Sequence, residues 1–227
     1  MSEGSRRLVN LKSKMQKIVP AILTADPEEL RESLKVLRGQ TKWVQIDIMD
    51  GKFVPNTSVN LFELGEASQF FNLEIHLMVE NPGKYLEDCK SIGAKRVIFH
   101  VEAAADPLAV LEKMEVCGFQ KAIAINPPTP VSQIAPYVEK LDAVLVMSVN
   151  PGFQAQEFIP DVLSKIAEIR KFKQDVTIGL DGGVNSENIK SIFEAGADYV
   201  GVGSAIMKSS DPLAAFEELK ELINTNV

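Results

Sequence analysis

Three side chains that can carry protons or bind metal ions stand within apolar, β-branched segments of the sequence. They are Asp47 in WVQIDIMD, His76 in LEIHLMV and Asp181 in VTIGLDGG. A carboxylate in such a segment is costly to bury unless it is paired or has a chemical role. Two carboxylates and an imidazole that converge on one point suit a divalent metal ion flanked by groups that transfer protons. The alternative is that backbone N–H groups satisfy each side chain.

The neighbours of these residues follow from the alternation of side chains along a strand. Gln45 stands two residues before Asp47, so it is expected on the same face, one layer deeper. His100, in FHVEA, is predicted to be structural or to support the site from behind. Asp50 is predicted to cap the turn that begins GKFVPN.

Methionine recurs where three of these apolar segments end, at Met49, Met78 and Met147. Two interpretations stay open at this point. The three side chains either fill the core in the ordinary way or form a soft, polarizable floor beneath a substrate.

Two glycine-containing segments are candidates for binding a phosphate group. Gly182 and Gly183 follow the segment that ends in Asp181, and Gly203 and Ser204 stand near the end of the last apolar segment. Backbone N–H groups and a helix N-terminus can bind an anion there without Lys or Arg, and DGGVN and VGSAI contain neither.

The elements that must position these residues alternate along the chain. Apolar strand patterns are separated by amphipathic helical patterns such as DPEELRESLKVLRG, which has Asp and Pro at its start and Gly at its end. The predicted strands are 17–23, 43–50, 73–79, 96–102, 121–127, 143–151, 176–183 and 199–206.

Eight strand–helix repeats without short hairpin turns predict parallel pairing and an α/β fold. We therefore expect a (β/α)8 TIM barrel with a parallel eight-stranded barrel and an active site at the carboxyl ends of the strands. The alternative, an open doubly wound sheet, needs a glycine-rich turn after its first strand. The segment VPAILTADPEEL contains no glycine.

Composition narrows the function classes. The 227 residues, 45% of them hydrophobic, carry a net charge of −7, which argues against general nucleic-acid or anionic-membrane binding. No apolar run approaches a membrane span, and the two cysteines, Cys89 and Cys117, form no framework, so we expect a cytoplasmic protein. Residues 1–16 are predicted to be a flexible N-terminal arm and residues 17–227 a single barrel domain.

The segments between Lys17 and Ile223 resemble, in order, the strand ends of the ribulose-phosphate 3-epimerase family. They are VPAILTAD, IDIMDGKFVPN, IHLMVENP, FHVEA, INPPTP, LVMSVNPGF, LDGGVN and VGSAIM. The resemblance implies interconversion of D-ribulose 5-phosphate and D-xylulose 5-phosphate in the pentose phosphate pathway. It also implies one divalent metal ion per chain, commonly zinc, and assembly into homodimers or larger homo-oligomers.

The same resemblance implies a role for each site residue. Asp47 and Asp181 are the two acid/base residues, on opposite faces of substrate carbon 3, and both hold the metal together with His76. The remaining residues implied to contact the substrate are Met49, Met78, Met147, Gly152, Gly182, Gly183, Gly203 and Ser204.

The sequence departs from the family pattern at three places. Gln45 stands where the family has a fourth metal ligand, a histidine; Ala21 replaces a serine; and Gln154 and Ala155 replace two glycines. If Gln45 is a ligand, its amide oxygen weakens zinc binding and shifts the preference towards magnesium, manganese or iron. A Cβ at 154 and 155 restricts positive φ in the loop after the sixth strand.

Three readings of the function remain after these departures. The first is a 3-epimerase of ribulose 5-phosphate, the second an epimerase of another ketose phosphate. The third is a non-catalytic phosphosugar-binding relative with a degraded metal site. A Schiff-base aldolase is disfavoured because no lysine stands at a predicted strand end, and a related decarboxylase because QIDIMD has no lysine after Asp47.

Overall fold

Eight parallel strands close into a barrel in which each strand pairs with the next in the chain and β8 pairs with β1. The computed structural model describes residues 17–153 and 155–224. The predicted arm, residues 1–16, lies outside the described residues, and the division into an arm and one domain stays a prediction. The strands are Ile18–Ile22 (β1), Trp43–Met49 (β2), Asn72–Met78 (β3), Arg96–His100 (β4), Gln120–Ile125 (β5), Ala143–Met147 (β6), Thr177–Asp181 (β7) and Tyr199–Val202 (β8).

The α-helices lie outside the barrel and cover its outer face. They are Pro27–Leu37 (α1), Leu86–Ser91 (α2), Pro107–Cys117 (α3), Leu163–Phe172 (α4), Ile189–Glu194 (α5), Ser204–Met207 (α6) and Pro212–Asn224 (α7). The closed parallel barrel with interleaved helices confirms the predicted (β/α)8 fold. Among the described residues, no helix is long and apolar enough to cross a membrane.

Three helices begin at an Asp-Pro pair, as the sequence predicted for the first of them. Asp26, Asp106 and Asp211 each accept a hydrogen bond from a backbone N–H in the first turn of α1, α3 and α7. The proline that follows has no N–H to leave unpaired and has a helical φ already fixed. Each helix therefore starts at a defined residue, and α1 and α3 return the chain to the next strand.

Two of the expected helices are replaced by short 3-10 turns. Residues 50–71 contain the turns Leu61–Leu64 and Ala67–Gln69, and residues 126–142 contain Val131–Gln133 and Val138–Lys140. The second segment includes four prolines in PPTPVSQIAP, and the first includes Gly51, Pro55 and Gly65. Proline removes a helical hydrogen bond and glycine raises the entropy cost, so neither segment sustains an α-helix.

Six strands lie within two residues of their predicted bounds, and the other two end earlier. β6 ends at Met147, although the Ser148 backbone N–H still donates to the Asp181 carbonyl oxygen of β7 at 2.8 Å, and the chain then turns at Pro151 and Gly152. β8 stops at Val202 because Gly203 adopts φ −91° and ψ −96°, and the following residues form α6. The predicted ends at 151 and 206 are therefore wrong.

The barrel interior contains two buried polar clusters. The floor cluster is Glu74, Arg96 and Tyr199. An Arg96 Nη1 lies 2.6 Å from Glu74 Oε2, and the Tyr199 hydroxyl donates to the same oxygen at 3.3 Å. Gly179 leaves space for this arrangement, since a Cβ there would lie 2.3 Å from the Tyr199 ring. The mouth cluster is Gln45, Asp47, His76 and Asp181; Gln45 is level with Glu74 in the strand register, and Asp47 and His76 stand two residues nearer the carboxyl ends of their strands.

Candidate active site

The mouth cluster is built from β2, β3 and β7, and the strand register brings its members together. Asp47 pairs with His76 across β2 and β3, and Asp181 is the last residue of β7. His76 Nδ1 lies 3.1 Å from Asp47 Oδ1 and 3.7 Å from Asp181 Oδ2. The three side chains are buried, and Asp47 and Asp181 keep exposed fractions of 9% and 8%. Both carboxylates line the pocket at the barrel mouth.

Gln45 joins the two carboxylates. Its amide Nε2 donates to Asp47 Oδ1 at 2.9 Å and to Asp181 Oδ2 at 2.6 Å. The side chain is fully buried, and its Oε1 has no hydrogen-bond partner among the described residues. The two N–H bonds of one amide therefore hold two negative groups that would otherwise repel each other.

Burial and charge shift the proton affinities of this cluster. Burial, together with the negative charge of Asp47, raises the pKa of Asp181 to about 6. Burial lowers the pKa of His76, but the hydrogen bond from His76 Nδ1 to Asp47 and the charges of both aspartates outweigh it, so the net pKa of His76 is raised. The cluster thus holds protons at pH values where an ordinary carboxyl would have lost them.

His100 lies directly behind His76. The two Nε2 atoms are 2.8 Å apart, and both rings are fully buried. Glu102 Oε2 lies 3.5 Å from the other ring nitrogen of His100. His100 therefore contacts the site from behind, as predicted. Sequence reasoning missed Glu102, although the spacing H-x-E at the end of the predicted strand 96–102 was a signal that could have found it.

The three methionines line the pocket and also belong to apolar clusters. Met49 and Met78 pack with Val54, and Met147 packs among residues of the barrel interior. Their exposed fractions are 3–5%, so each side chain is largely covered and shows one edge to the pocket. Both open interpretations, core filling and an apolar floor, therefore describe the same three side chains.

The glycine segments lie on the opposite side of the pocket from β3. Gly182 and Gly183 have φ of 112° and 63°, and a Cβ on them would lie 2.5 Å from Val149 and 2.8 Å from the Phe158 nitrogen. Both positions therefore require glycine. Gly203 and Ser204 also line the pocket, at the start of α6. Lys208 lines it too, a cation that the sequence reasoning did not single out.

The loop after β6 covers part of the pocket. Gly152, Phe153 and Ala155 line the pocket, and Gly152 accepts a hydrogen bond from the Asn56 side chain at 3.3 Å. Ala155 has φ 57°, a left-handed conformation that disfavours a Cβ. Gln154 lies outside the described residues. Ala21, the third departure from the family pattern, is buried and lines the same pocket.

The donor atoms of this site suit a divalent metal ion. One atom from each of Asp47, His76 and Asp181 lies within 4.8 Å of the others, among the described residues. Two carboxylate oxygens and an imidazole nitrogen are common ligands in catalytic metal sites, which keep further positions for water or substrate. The Gln45 amide NH2, and not its partnerless Oε1, faces the two carboxylates, so Gln45 can offer an oxygen to a cation only after its amide turns. The residues therefore fit a divalent cation.

Comparisons with known proteins point to one family. A family model described as "Ribulose-phosphate 3 epimerase family" matches residues 17–207. The chain is 36% identical to the ribulose-phosphate 3-epimerase of Bacillus subtilis over 214 residues, covering 91% of this chain and 99% of that one. It is 36% identical over 209 residues to the enzyme of that name from Mycobacterium tuberculosis, covering 89% and 91%.

Solved structures support the fold. The 3-hexulose-6-phosphate synthase of Salmonella typhimurium superposes with a TM-score of 0.72 at 15% identity, covering 93% of this chain and 100% of that one. Tryptophan synthase from M. tuberculosis superposes with a TM-score of 0.70 at 16% identity, covering 96% and 99%. At such identities the likeness establishes the barrel and not the activity.

Proposed function

The chain belongs to the ribulose-phosphate 3-epimerase family, and on that premise we propose that it interconverts D-ribulose 5-phosphate and D-xylulose 5-phosphate. Family membership makes it an epimerase, a class of isomerase, as the sequence predicted. One observation carries the proposal for this chain. Two carboxylates from β2 and β7, bridged by the Gln45 amide, face one pocket beside glycine segments suited to a phosphate.

Asp47 and Asp181 are proposed to move the proton at carbon 3. Epimerisation requires one group to remove the proton from one face of that carbon and another to return a proton to the opposite face. Because the reaction runs in both directions, each carboxyl is the base in one direction and the acid in the other. Burial that raises the pKa of Asp181 to about 6 brings that group closer to neutral pH, where proton transfer in both directions is efficient.

Gln45 is proposed to hold the carboxyl groups of Asp47 and Asp181 in a fixed orientation. Its two N–H bonds fix the carboxylate oxygens at 2.9 and 2.6 Å, which limits their rotation. A positioned acid and base gain rate because the reacting atoms need no further ordering. Gln45 therefore supports proton transfer without itself changing protonation state.

The rest of the pocket is proposed to bind the substrate. Backbone N–H groups near Gly183 and Ser204 take the phosphate, with Lys208 adding positive charge at the rim. The edges of Met49, Met78 and Met147 form an apolar floor that excludes water beneath the sugar. Gly152, Phe153 and Ala155, which line the pocket, contact the sugar from the side of β6.

A divalent metal ion is proposed to be held by Asp47, His76 and Asp181. Gln45 is proposed as a fourth ligand once its amide turns, because its NH2 group and not its oxygen faces the two carboxylates in the metal-free arrangement. Such an ion supplies Lewis-acid neutralisation of the negative charge that develops on the substrate oxygens. The amide oxygen is a harder ligand than the histidine of the family pattern. We therefore expect the preference to move from zinc towards magnesium, manganese or iron.

The proposal is tested by stripping the protein with a chelator and reloading it with one divalent metal at a time. A coupled assay then follows the formation of D-xylulose 5-phosphate from D-ribulose 5-phosphate. We expect activity to return with at least one of magnesium, manganese, iron and zinc. Absence of turnover with every metal and with several ketose phosphates would contradict the proposal and favour a phosphosugar-binding protein.

Two further proposals concern the oligomeric state and the cellular location. The family resemblance predicts a homodimer or larger homo-oligomer, and sedimentation velocity measures that directly. A cytoplasmic location stays a prediction. A rice relative, 32% identical over 215 residues, carries the name of a cytoplasmic isoform.

A further inference from the structure

The contact between the two histidines requires an asymmetric arrangement of protons. His76 Nε2 and His100 Nε2 are 2.8 Å apart, a hydrogen-bond distance. A hydrogen bond between two imidazole nitrogens needs a proton on one and a lone pair on the other. The group at the far side of His100 therefore decides which ring donates.

That group is the carboxylate of Glu102, which is held firmly in place. Its Oε1 accepts from the Asn126 backbone N–H at 2.9 Å and from the Thr129 hydroxyl. Burial raises the pKa of Glu102, but the hydrogen bonds to it outweigh burial, and its pKa falls to about 2. Glu102 is thus ionised at every relevant pH and can only accept a proton, never donate one.

The remaining oxygen of Glu102 faces the free nitrogen of His100. Glu102 Oε2 lies 3.5 Å from His100 Nδ1, which makes no closer hydrogen bond among the described residues. A negative oxygen at this distance stabilises a proton on Nδ1. The neutral His100 ring then has a bare Nε2, which must accept from His76 Nε2.

We propose that Glu102 and His100 are positioning residues that keep the Nε2 of His76 protonated and leave its Nδ1 to face Asp47 and Asp181. His76 Nδ1 is the nitrogen that lies 3.1 Å from Asp47, so it is the atom that the proposed metal requires. The chain Glu102–His100–His76 extends the usual carboxylate–histidine–metal arrangement by one imidazole. The consequence for metal binding rests on the proposed function, whereas the proton positions do not.

The alternative arrangement would act against the site. If His100 carried its proton on Nε2, it would donate to His76 Nε2, and the neutral His76 would carry its proton on Nδ1. A cation that displaced the Nδ1 proton would then leave His76 as an imidazolate. With Nε2 protonated through Glu102 and His100, His76 instead remains a neutral ligand after a cation displaces the proton that Nδ1 shares with Asp47.

The sequence allows a direct test, because the chain contains two histidines and both belong to this arrangement. Protein labelled with ¹⁵N-histidine and freed of metal is measured by long-range ¹H–¹⁵N correlation at neutral pH. We expect His100 as the Nδ1–H tautomer with a bare Nε2, and His76 with a protonated Nε2. A His100 ring that carries its proton on Nε2 would overturn the proposal.

Variants separate the role of the carboxylate from that of the loop it anchors. Glu102→Gln is expected to give a mixture of His100 tautomers, because an amide can donate as well as accept. Thr129→Val is the matched control: it removes the hydroxyl bonded to Glu102 but keeps the carboxylate, so the wild-type tautomer is expected. Equal spectra for Glu102→Gln and wild type would contradict the proposal.

Metal affinity provides a second readout that is independent of activity. Competition with a chelating dye is expected to show affinity about 10–100-fold weaker in His100→Phe, the loss typical for partners of metal-bound histidine. His100→Gln keeps an acceptor for His76 and is expected to stay within a few-fold of wild type. Unchanged affinity in His100→Phe overturns the role in metal binding. The predicted tautomers without metal binding in any protein would instead support the proton positions and contradict the proposed metal site.

Discussion

The floor cluster and the mouth cluster are buried polar groups of the same barrel, yet their charges are balanced differently. On β3, Glu74 and His76 stand two residues apart and belong to different clusters. Glu74 faces the guanidinium of Arg96 at 2.6 Å, and the guanidinium also lies over the rings of Trp43 and Tyr199. Each charge of the floor cluster therefore faces an opposite charge within the protein, although burial outweighs Arg96 and still raises the pKa of Glu74.

The mouth cluster lacks such a counterpart. The ion-pair contacts of Asp47 and Asp181, among the described residues, are with His76, and an amide stands between the two carboxylates. One carboxyl responds by retaining its proton more strongly, since burial raises the pKa of Asp181 to about 6. A buried cluster whose charges are paired stabilises the fold, whereas a buried cluster with unpaired negative charge binds protons, a cation or a substrate.

The largest effect is expected on activity, from removing either acid/base group of the mouth. Asp47→Asn and Asp181→Asn keep the shape of the side chain but cannot accept the carbon-3 proton. We expect each to lower kcat/KM by about 10²–10⁴-fold in the coupled assay. The exposed Asp175→Asn is the control for loss of one negative charge and should retain wild-type activity. Full activity in either variant would show that the carboxyl group it lacks does not transfer the carbon-3 proton.

Substitutions in the floor cluster are expected to change the stability of the fold. Arg96→Met leaves Glu74 buried without its cation, and the free energy of unfolding should fall by about 3–5 kcal/mol. Urea denaturation of the metal-free protein measures this change. The double variant Arg96→Met/Glu74→Gln removes both charges and should recover part of the loss. A loss below about 1 kcal/mol for Arg96→Met would show that the floor pair is not needed.

Asp181 of the mouth cluster should make the free energy of unfolding depend on pH. The sense of this dependence is opposite to that of a carboxylate in an ordinary salt bridge. The pKa of Asp181 rises on folding from 3.8 to about 6, so between these values the folded chain binds more protons than the unfolded chain. Stability from this group is therefore present at low pH and lost as pH rises through 6, by at most about 3 kcal/mol.

The measurement is the difference in unfolding free energy between wild type and Asp181→Asn, both metal-free. Asp181→Asn should be the more stable protein at pH 7.5, and its advantage should shrink towards pH 4. A difference that does not vary with pH would contradict the raised pKa of Asp181.

A smaller effect, on metal preference, is expected from replacing the Gln45 amide of the mouth cluster by an imidazole. Gln45→His supplies the nitrogen ligand of the family pattern, so its affinity for zinc should rise by about tenfold or more relative to manganese. Competition between the two metals, read with a chelating dye, measures this ratio. An unchanged ratio would show that position 45 does not contact the metal.

The smallest effect is expected at the rim, outside both clusters. Ala155 has φ 57°, and glycine there should raise the free energy of unfolding by about 1 kcal/mol by relieving the left-handed conformation. Ala104→Gly is the control, because Ala104 has φ −105° and should lose stability on the same change. Stabilisation by both substitutions would point to a cause other than φ.

The sequence predicted the mouth better than the floor, for physical reasons. Asp47, His76 and Asp181 were identifiable because each interrupts an apolar segment at its carboxyl end. Glu74 and Arg96 stand at the beginnings of their strands, where charged residues are usually exposed, so nothing marked them as buried partners.

Contacts across the barrel could not be predicted from the sequence either. That Gln45 donates to both carboxylates depends on the closure of β7 against the rest of the barrel, which local patterns do not specify. The Ser148 side chain is a second example, since its hydroxyl contacts the carbonyl oxygens of residues more than thirty positions away. Fold class follows from repeated local signals, whereas these details depend on long-range contacts.

The central claim, that Asp47 and Asp181 exchange protons with carbon 3 of a ketose phosphate, is tested most directly by deuterium incorporation from heavy water. Wild-type protein loaded with its active metal is incubated with D-ribulose 5-phosphate, and deuterium at carbon 3 is followed by NMR. We expect deuterium at carbon 3 of both epimers, and a rate reduced together with kcat/KM in Asp47→Asn and Asp181→Asn. No deuterium at carbon 3 with any metal, from a protein that still binds the phosphosugar, would contradict the claim.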